Sequence, residues 1–282
     1  FCLTVIIAFI HDRKREIKAI NNWLKVVIAA IKSIIAFLSS IEEASFVKKF
    51  SQILPVILQT LISAVKQDED SGNSIIQSLG DLIEAHPMFI KPIIEDLLVT
   101  LTEIMKTNQF SDGMRTQAMS CIEILANKCD VALRRSDVFK KTVIPAFMEV
   151  LCEIKEITIE EWLEDLEGQT ISKNDPYYTA QDTIAKISDS LTSKFLLPQF
   201  IPYITQCIQN DQWYAKHSGY VAIGVLAEGS AATFKGELDS IMQMVLPGLS
   251  HQDPRVVYSA TTAVALLSSE YAVKSNLLLW FL

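Results

Sequence analysis

The chain has 282 residues, half of them hydrophobic, and a net charge of −8. That length and apolar content allow one large domain or two ordinary ones and exclude disorder of the whole chain. The acidic balance argues against nucleic acid, whose phosphates require a basic footprint, and favours basic partners.

Only 9 Gly and 9 Pro are spread along the chain. Apolar residues recur at i, i+3, i+4, i+7 in nearly every window, which predicts an all-α protein. The five cysteines, Cys2, Cys121, Cys129, Cys152 and Cys207, are odd in number and widely spaced. They read as small buried hydrophobes in a reducing compartment.

From the first residue, "FCLTVIIAFI" is apolar, but it is followed at once by "HDRKRE". A membrane span needs about 20 such residues, and a signal peptide carries its positive charge before the apolar run, so neither reading fits. With the chain closing on "NLLLWFL", both ends are expected to be cut through, or mis-joined to, further helices. Residues 1–50 are read as N-terminal helices, and 17–50 as a helical pair forming one degenerate layer.

Next comes a recurring apolar-apolar-proline element: "ILPVILQTLI" around Pro55, "IKPIIEDLLVTL" around Pro92, "VIPAFMEVL" around Pro145, "FIPYITQCI" around Pro202 and "VLPGLS" around Pro247. Proline is tolerated in the first turn of a helix, so a proline recurring in one context predicts the same helix in each copy of a unit. Each is followed by a second predicted helix, over 73–85, 114–127, 177–192, 213–228 and 255–269. Two helices per ~40 residues is the period of HEAT-type repeats, whose stacking makes one continuous core. The fold class expected is therefore an α-solenoid of HEAT repeats, with repeats over 51–152 and 177–282.

Residues 153–176 break the period. Eight acidic residues stand there against Lys155 and Lys173, so this insert holds most of the excess negative charge. Within it Ile159, Trp162, Leu163 and Leu166 share one helical face, and Glu160, Glu161, Glu164 and Asp165 take the other, with Glu167 beyond. That pattern predicts an amphipathic acidic helix that docks through its apolar edge and presents carboxylates outward; the plainer alternative is a solvated loop that keeps the solenoid soluble.

Motifs for chemistry are missing. His11, His86, His217 and His251 fall in four different layers, and no pair has metal-ligand spacing. "GYVAIGVLAEG" lacks the lysine and the preceding strand of a phosphate loop, so Gly219 and its small neighbours Ala215 and Ala222 are read as a site of close helix approach. There is no Gly-x-Ser-x-Gly elbow and no kinase signature set. No cofactor is expected, and the chain is read as not an enzyme.

The segment Trp213, Lys216, His217, Gly219, Ala222, Leu226, Ala227, Glu228, Gly229 resembles a repeat helix of importin-β (karyopherin-β) nuclear transport receptors. The following "QDPRVVYSATTAVALLSS" looks like their next HEAT unit, with Val256, Tyr258 and Ala260 on its core face. Together with the acidic insert and "FSQILPVILQTL" the order is similar to the importin-five (karyopherin-β3) branch. Val257 departs from the pattern, standing where the repeat usually carries an arginine that ties layers together, and the insert is shorter and less acidic than the branch's.

The resemblance implies a receptor that shuttles between cytoplasm and nucleus, binds cargo carrying a lysine-rich localisation signal, contacts phenylalanine-glycine nucleoporins, and releases cargo to Ran-GTP. Inward-facing candidates on the second helices are Asn73, Gln77, Asp81, Glu84, Gln117, Glu123, Asn127, Asp182, Asp189, Trp213 and Glu228. On the insert they are Glu160, Glu161, Trp162, Glu164, Asp165 and Glu167. The competing readings are a HEAT scaffold without a nucleotide-dependent partner and an enzyme or hydrolase regulator with its site in the insert.

Overall fold

A computed structural model describes residues 20–156, 158–166, 175–228 and 237–272, and among these it contains helices and turns but no strand. After a leading helix, Ile20–Ser39, five antiparallel pairs follow. Their principal helices are Leu54–Val65 with Glu69–Ala85, Ile94–Lys106 with Asp112–Lys128, Ile144–Leu151 with Pro176–Leu191, Ser193–Gln209 with Trp213–Glu228, and Leu238–Val245 with Pro254–Ala272. Second helices begin 43 residues apart from Glu69 to Asp112, 37 from Pro176 to Trp213 and 41 from Trp213 to Pro254. Two of these three spacings fall within the HEAT period of about 40–47, and the third is slightly shorter. Within pair three the insert helix Ile159–Leu166 intervenes.

Each second helix packs on the second helix of the next pair, so one row runs the length of the molecule. Because no pair can bury its apolar face alone, the core is continuous along this row. Leu61, Leu79, Leu101, Ile122, Phe147, Ile184, Phe200, Ile223 and Val256 all belong to it.

Local chemistry sets the helix starts. Ser111 Oγ accepts from the Met114 N–H, and Asp175 accepts from the Tyr177 N–H at 2.7 Å with Pro176 in the first turn, each satisfying an otherwise orphaned donor. The prolines mark the first helix of every pair but not the same turn of it. Pro55 and Pro145 lie in the first turn, and Pro92 in a 3-10 turn just before. Pro202 instead sits inside Ser193–Gln209, four residues after Pro198, and Pro247 lies in the 3-10 turn Leu246–Ser250 after its helix. An interior proline loses an i to i−4 hydrogen bond, and here burial of Leu196, Leu197, Phe200 and Ile204 on the same helix offsets the loss.

The N-terminal segment differs from a closed pair. Ile20–Ser39 packs on Leu54–Val65 and Glu69–Ala85, extending the row, while Ala44–Val47 and the 3-10 turn Lys48–Ile53 run straight into the Pro55 helix. A proline in a first turn permits such a lead-in, so residues 44–53 belong to pair one. The apolar ends 1–10 and 276–282 lie outside the described residues.

Trp213–Glu228 is buried almost all round, wedged between Ser193–Gln209 and the second helices on either side. A Cβ at Gly219 would sit 2.8 Å from Ile208 Cγ1 and 3.3 Å from the Ile204 carbonyl, so only glycine lets the two helices approach this closely. The joint between pairs three and four is Thr192, at φ 66°, the one non-glycine residue with positive φ among those described.

Candidate interaction surface

Along the row of second helices the polar candidates emerge on the exposed side. Gln77, Asp81 and Glu84 are exposed on pair one, Asn127 on pair two, and Asp182 and Asp189 on pair three; Asn73, Gln117 and Glu123 are half-buried. Pairs two and three are bridged there: Lys186 Nζ lies 2.8 Å from Asp182 and 3.3 Å from Glu123. Its hydrogen bond to Asp182 holds the Lys186 ammonium above its ordinary pKa. Glu123 and Asp182 are thus brought together, but around a cation of the chain's own.

The insert begins where Arg115 of pair two, its Nε–H donating to the Met105 carbonyl, pairs with Glu153 at 2.5 Å. Its helix opens on a capping box. The Thr158 N–H donates to Glu161 at 2.8 Å, the Glu161 N–H donates to Thr158 Oγ1 at 3.2 Å, and the first of these keeps Glu161 below the usual carboxylate range. Glu160, Glu161 and Glu164 are exposed; the Asp165 side chain and Glu167 lie outside the described residues.

Docking of this helix is narrower than its apolar face predicts. Trp162 is 6% exposed and meets Tyr258 edge-to-face at 5.4 Å, whereas Leu163 is 50% exposed and Ile159 37%. Tyr258, expected on the core face, is 45% exposed. Val256 and Ala260 fill the core at that level, which turns Tyr258 outward to become the partner of Trp162. One aromatic contact therefore carries the insert from pair three across to pair five.

Three successive second helices are joined by a buried polar ladder. His217 Nε2 lies 2.7 Å from Tyr177 Oη, and His217 Nδ1 lies 2.8 Å from the Arg255 carbonyl. A carbonyl only accepts, so Nδ1 carries the proton and Nε2 accepts from the tyrosine. Burial lowers the His217 pKa to about 4, against the opposing pull of its bond to Arg255, so the imidazole is neutral. Arg255 pairs with Asp253 at 2.8 Å and lays its guanidinium 3.3 Å from the centre of the Trp213 ring. Trp213 is therefore covered by its own chain, and the arginine that ties layers is Arg255, two residues before Val257. Sequence reasoning passed over Arg255; the signal available was an Asp-Pro-Arg turn placed one repeat after a tryptophan.

Among the described residues no group of three or more His, Cys, Asp or Glu is arranged to hold a metal ion, and no helix is long and apolar enough to cross a membrane. The Glu228 side chain lies outside them.

Known proteins resemble this chain in sequence and fold. A family model described as IPO5-like, TPR repeats, matches residues 17–100. Importin subunit beta-3 of Saccharomyces cerevisiae is 21% identical over 251 residues, covering 87% of this chain and 23% of the relative. Over most of its length the chain is similar to importin-β family proteins. Human Importin-4 is 20% identical over 229 residues, covering 76% of the chain and 20% of its own length. Among solved structures, Kap121p bound to Nup53p superposes with a TM-score of 0.78 at 21% identity, and Kap121p bound to Pho4p with 0.77 at 20%, each match covering 86% of this chain and 24% of the other. The fold is that of their α-solenoid. The chain spans less than a quarter of the length of these relatives.

Proposed function

We propose that this chain is a cargo-binding part of a nuclear import receptor and catalyses no reaction on its partners. The observation that carries the reading is the continuous row of second helices, which exposes Gln77, Asp81, Glu84, Asn127, Asp182 and Asp189 along one solenoid. An extended face of carboxylates and amides suits a lysine-rich localisation segment that orders on binding. Glu160, Glu161 and Glu164, held outward by the Trp162 anchor, with Asp165 and Glu167 beside them, add negative charge for a basic patch of cargo or of Ran-GTP. Glu123, in exchange with Lys186, and with it Trp213 and Glu228 are further candidates for contact with the same cargo.

Between the first helices of pairs three and four lies a groove of about 460 Å³ lined by Pro145, Met148, Tyr203 and Tyr214. Its aromatic and apolar walls suit a phenylalanine side chain of a phenylalanine-glycine nucleoporin. Ran-GTP and cargo, favouring different superhelical pitches, would each lower the other's affinity by linkage, and the receptor would shuttle between cytoplasm and nucleus. The described parts of 51–152 and 177–282 act as one solenoid on either side of the insert at 153–176.

The test titrates a fluorescent lysine-rich localisation peptide and then adds Ran loaded with GTP or GDP. Release by the GTP form alone supports the reading. A peptide that fails to bind, or stays bound with either nucleotide, replaces it with a Ran-independent HEAT scaffold. Neutralising Glu160, Glu161, Glu164 and Asp165 together should weaken binding and flatten its salt dependence.

A further inference from the structure

Cys152 and Cys207 come from different pairs yet converge. Cys152 ends Ile144–Leu151 and opens the 3-10 turn Cys152–Glu156 at the root of the insert; Cys207 lies in the last turn of Ser193–Gln209. Consecutive residues of Trp213–Glu228 bring them together. Ser218 Oγ donates to the carbonyl of Leu151, the residue before Cys152, at 2.7 Å. At Gly219 the missing side chain leaves room for Cys207, whose Cβ would stand 3.3 Å from an added one. The two thiols hydrogen-bond each other, neither is in a disulfide, and both are half-buried and on the wall of the groove between the first helices. Reagents in solution therefore reach the pair. Cys121, by contrast, is fully buried, and Cys129 donates to the Pro87 carbonyl in another layer.

We propose that Cys152 and Cys207 form a redox pair that closes to a disulfide by exchange with a small disulfide such as oxidised glutathione. One cysteine, as its thiolate, attacks a reagent sulfur; the reagent's S–S bond breaks and one glutathione thiol leaves with a proton. The second cysteine gives up its proton and attacks the protein sulfur of the mixed disulfide, expelling the second glutathione thiol. Two protein thiols lose two electrons and two protons, and the reagent disulfide gains them. A disulfide bond is about 2 Å long, so closure requires the two side chains to rotate from hydrogen-bonding contact until the sulfurs meet. The bond staples the insert's root to the first helix of pair four and narrows the groove at that wall. This site is independent of the transport reading, since it requires neither cargo nor Ran. Its hydrogen bond to Cys152, and then burial, hold the Cys207 proton well above the ordinary thiol range, so closure accelerates as the pH rises.

The experiment incubates the full chain with oxidised glutathione at about pH 8, digests it without reduction and maps the peptides by mass spectrometry. The expected product is a peptide containing Cys152 joined to one containing Cys207, lost on adding dithiothreitol. Retention of phenylarsine oxide, which requires two adjacent thiols, should fall about tenfold in Cys152→Ser and in Cys207→Ser and stay unchanged in Cys129→Ser. Glutathione adducts on either cysteine without a cross-link, no reaction at either, or equal arsenical retention in all variants would overturn the proposal. The peptide map uses the unaltered chain, so misfolding of a variant leaves the test intact.

Discussion

Pairs one and two and pairs three to five stack in the same way but are held by different forces. In the early layers Ile75, Ile76 and Leu79 of one second helix stand against the row continued by Met114, Ala118 and Ile122, all buried and apolar, and the polar link between Glu69 and Ser111 lies at the exposed edge. In the later layers Tyr177, His217 and Arg255 run a hydrogen-bonded ladder through the interior, and Trp213 stacks under a guanidinium. Apolar contact is non-directional, whereas hydrogen bonds fix distance and angle. The difference teaches that the early layers are positioned by shape and the later ones by register, which suits a solenoid that must bend in one part and hold an insert in another.

Four perturbations would break or sharpen that contrast. The largest effect is expected in the early half: Leu79→Ala removes a fully buried side chain and should cost about 2–5 kcal/mol in urea denaturation. A loss under about 1 kcal/mol would mean that those layers are not packed on one another. The later half should instead respond to acid. Because His217 has a folded pKa of about 4 against 6.5 when free, the unfolded chain binds a proton that the folded chain refuses as pH falls through that window. Stability is full above about pH 6.5 and should drop by about 3 kcal/mol by pH 4. In His217→Gln that component of the slope should vanish; an unchanged slope assigns it to other groups.

Arg255→Lys keeps the charge but loses the planar fork that pairs with Asp253 and covers Trp213. A loss of about 1–3 kcal/mol is expected, with a shift in tryptophan emission to report the uncovered ring. Smallest is Lys186→Met. Its pairs with Glu123 and Asp182 are half-exposed and salt-screened, so stability should change by less than about 1 kcal/mol. Peptide affinity should rise as the two carboxylates are freed, and a fall would place the lysine among the binding groups.

What the sequence made legible is what repeats. The second helices stand close to where the 3.6-residue period puts them, and the acidic helix of the insert forms over the residues whose apolar and charged faces segregate. Other features depend on how helices rotate against one another, which no local pattern encodes. Pro202 has the same apolar context as Pro55 yet lies mid-helix, because its helix begins earlier at Ser193. Tyr258 fits a core stripe but is displaced by Val256 and Ala260, and only then can it receive Trp162 from about a hundred residues upstream. Lys186 sits one helical turn from Asp182, but its approach to Glu123 appears only when two layers are stacked.

Thr192 gives the joint between pairs three and four a mechanical character. A β-branched residue at φ 66° occupies backbone space that disfavours it by about 1–3 kcal/mol, and the buried hydrogen bond between the Ser188 and Ser193 hydroxyls, at 2.9 Å, spans the same turn. Elastic energy is thus stored at one joint directly behind the insert, and the Tyr177–His217 hydrogen bond spans the same joint from one second helix to the next. The ladder therefore acts as a lock: the turn at Thr192 can relax only if that bond opens as well.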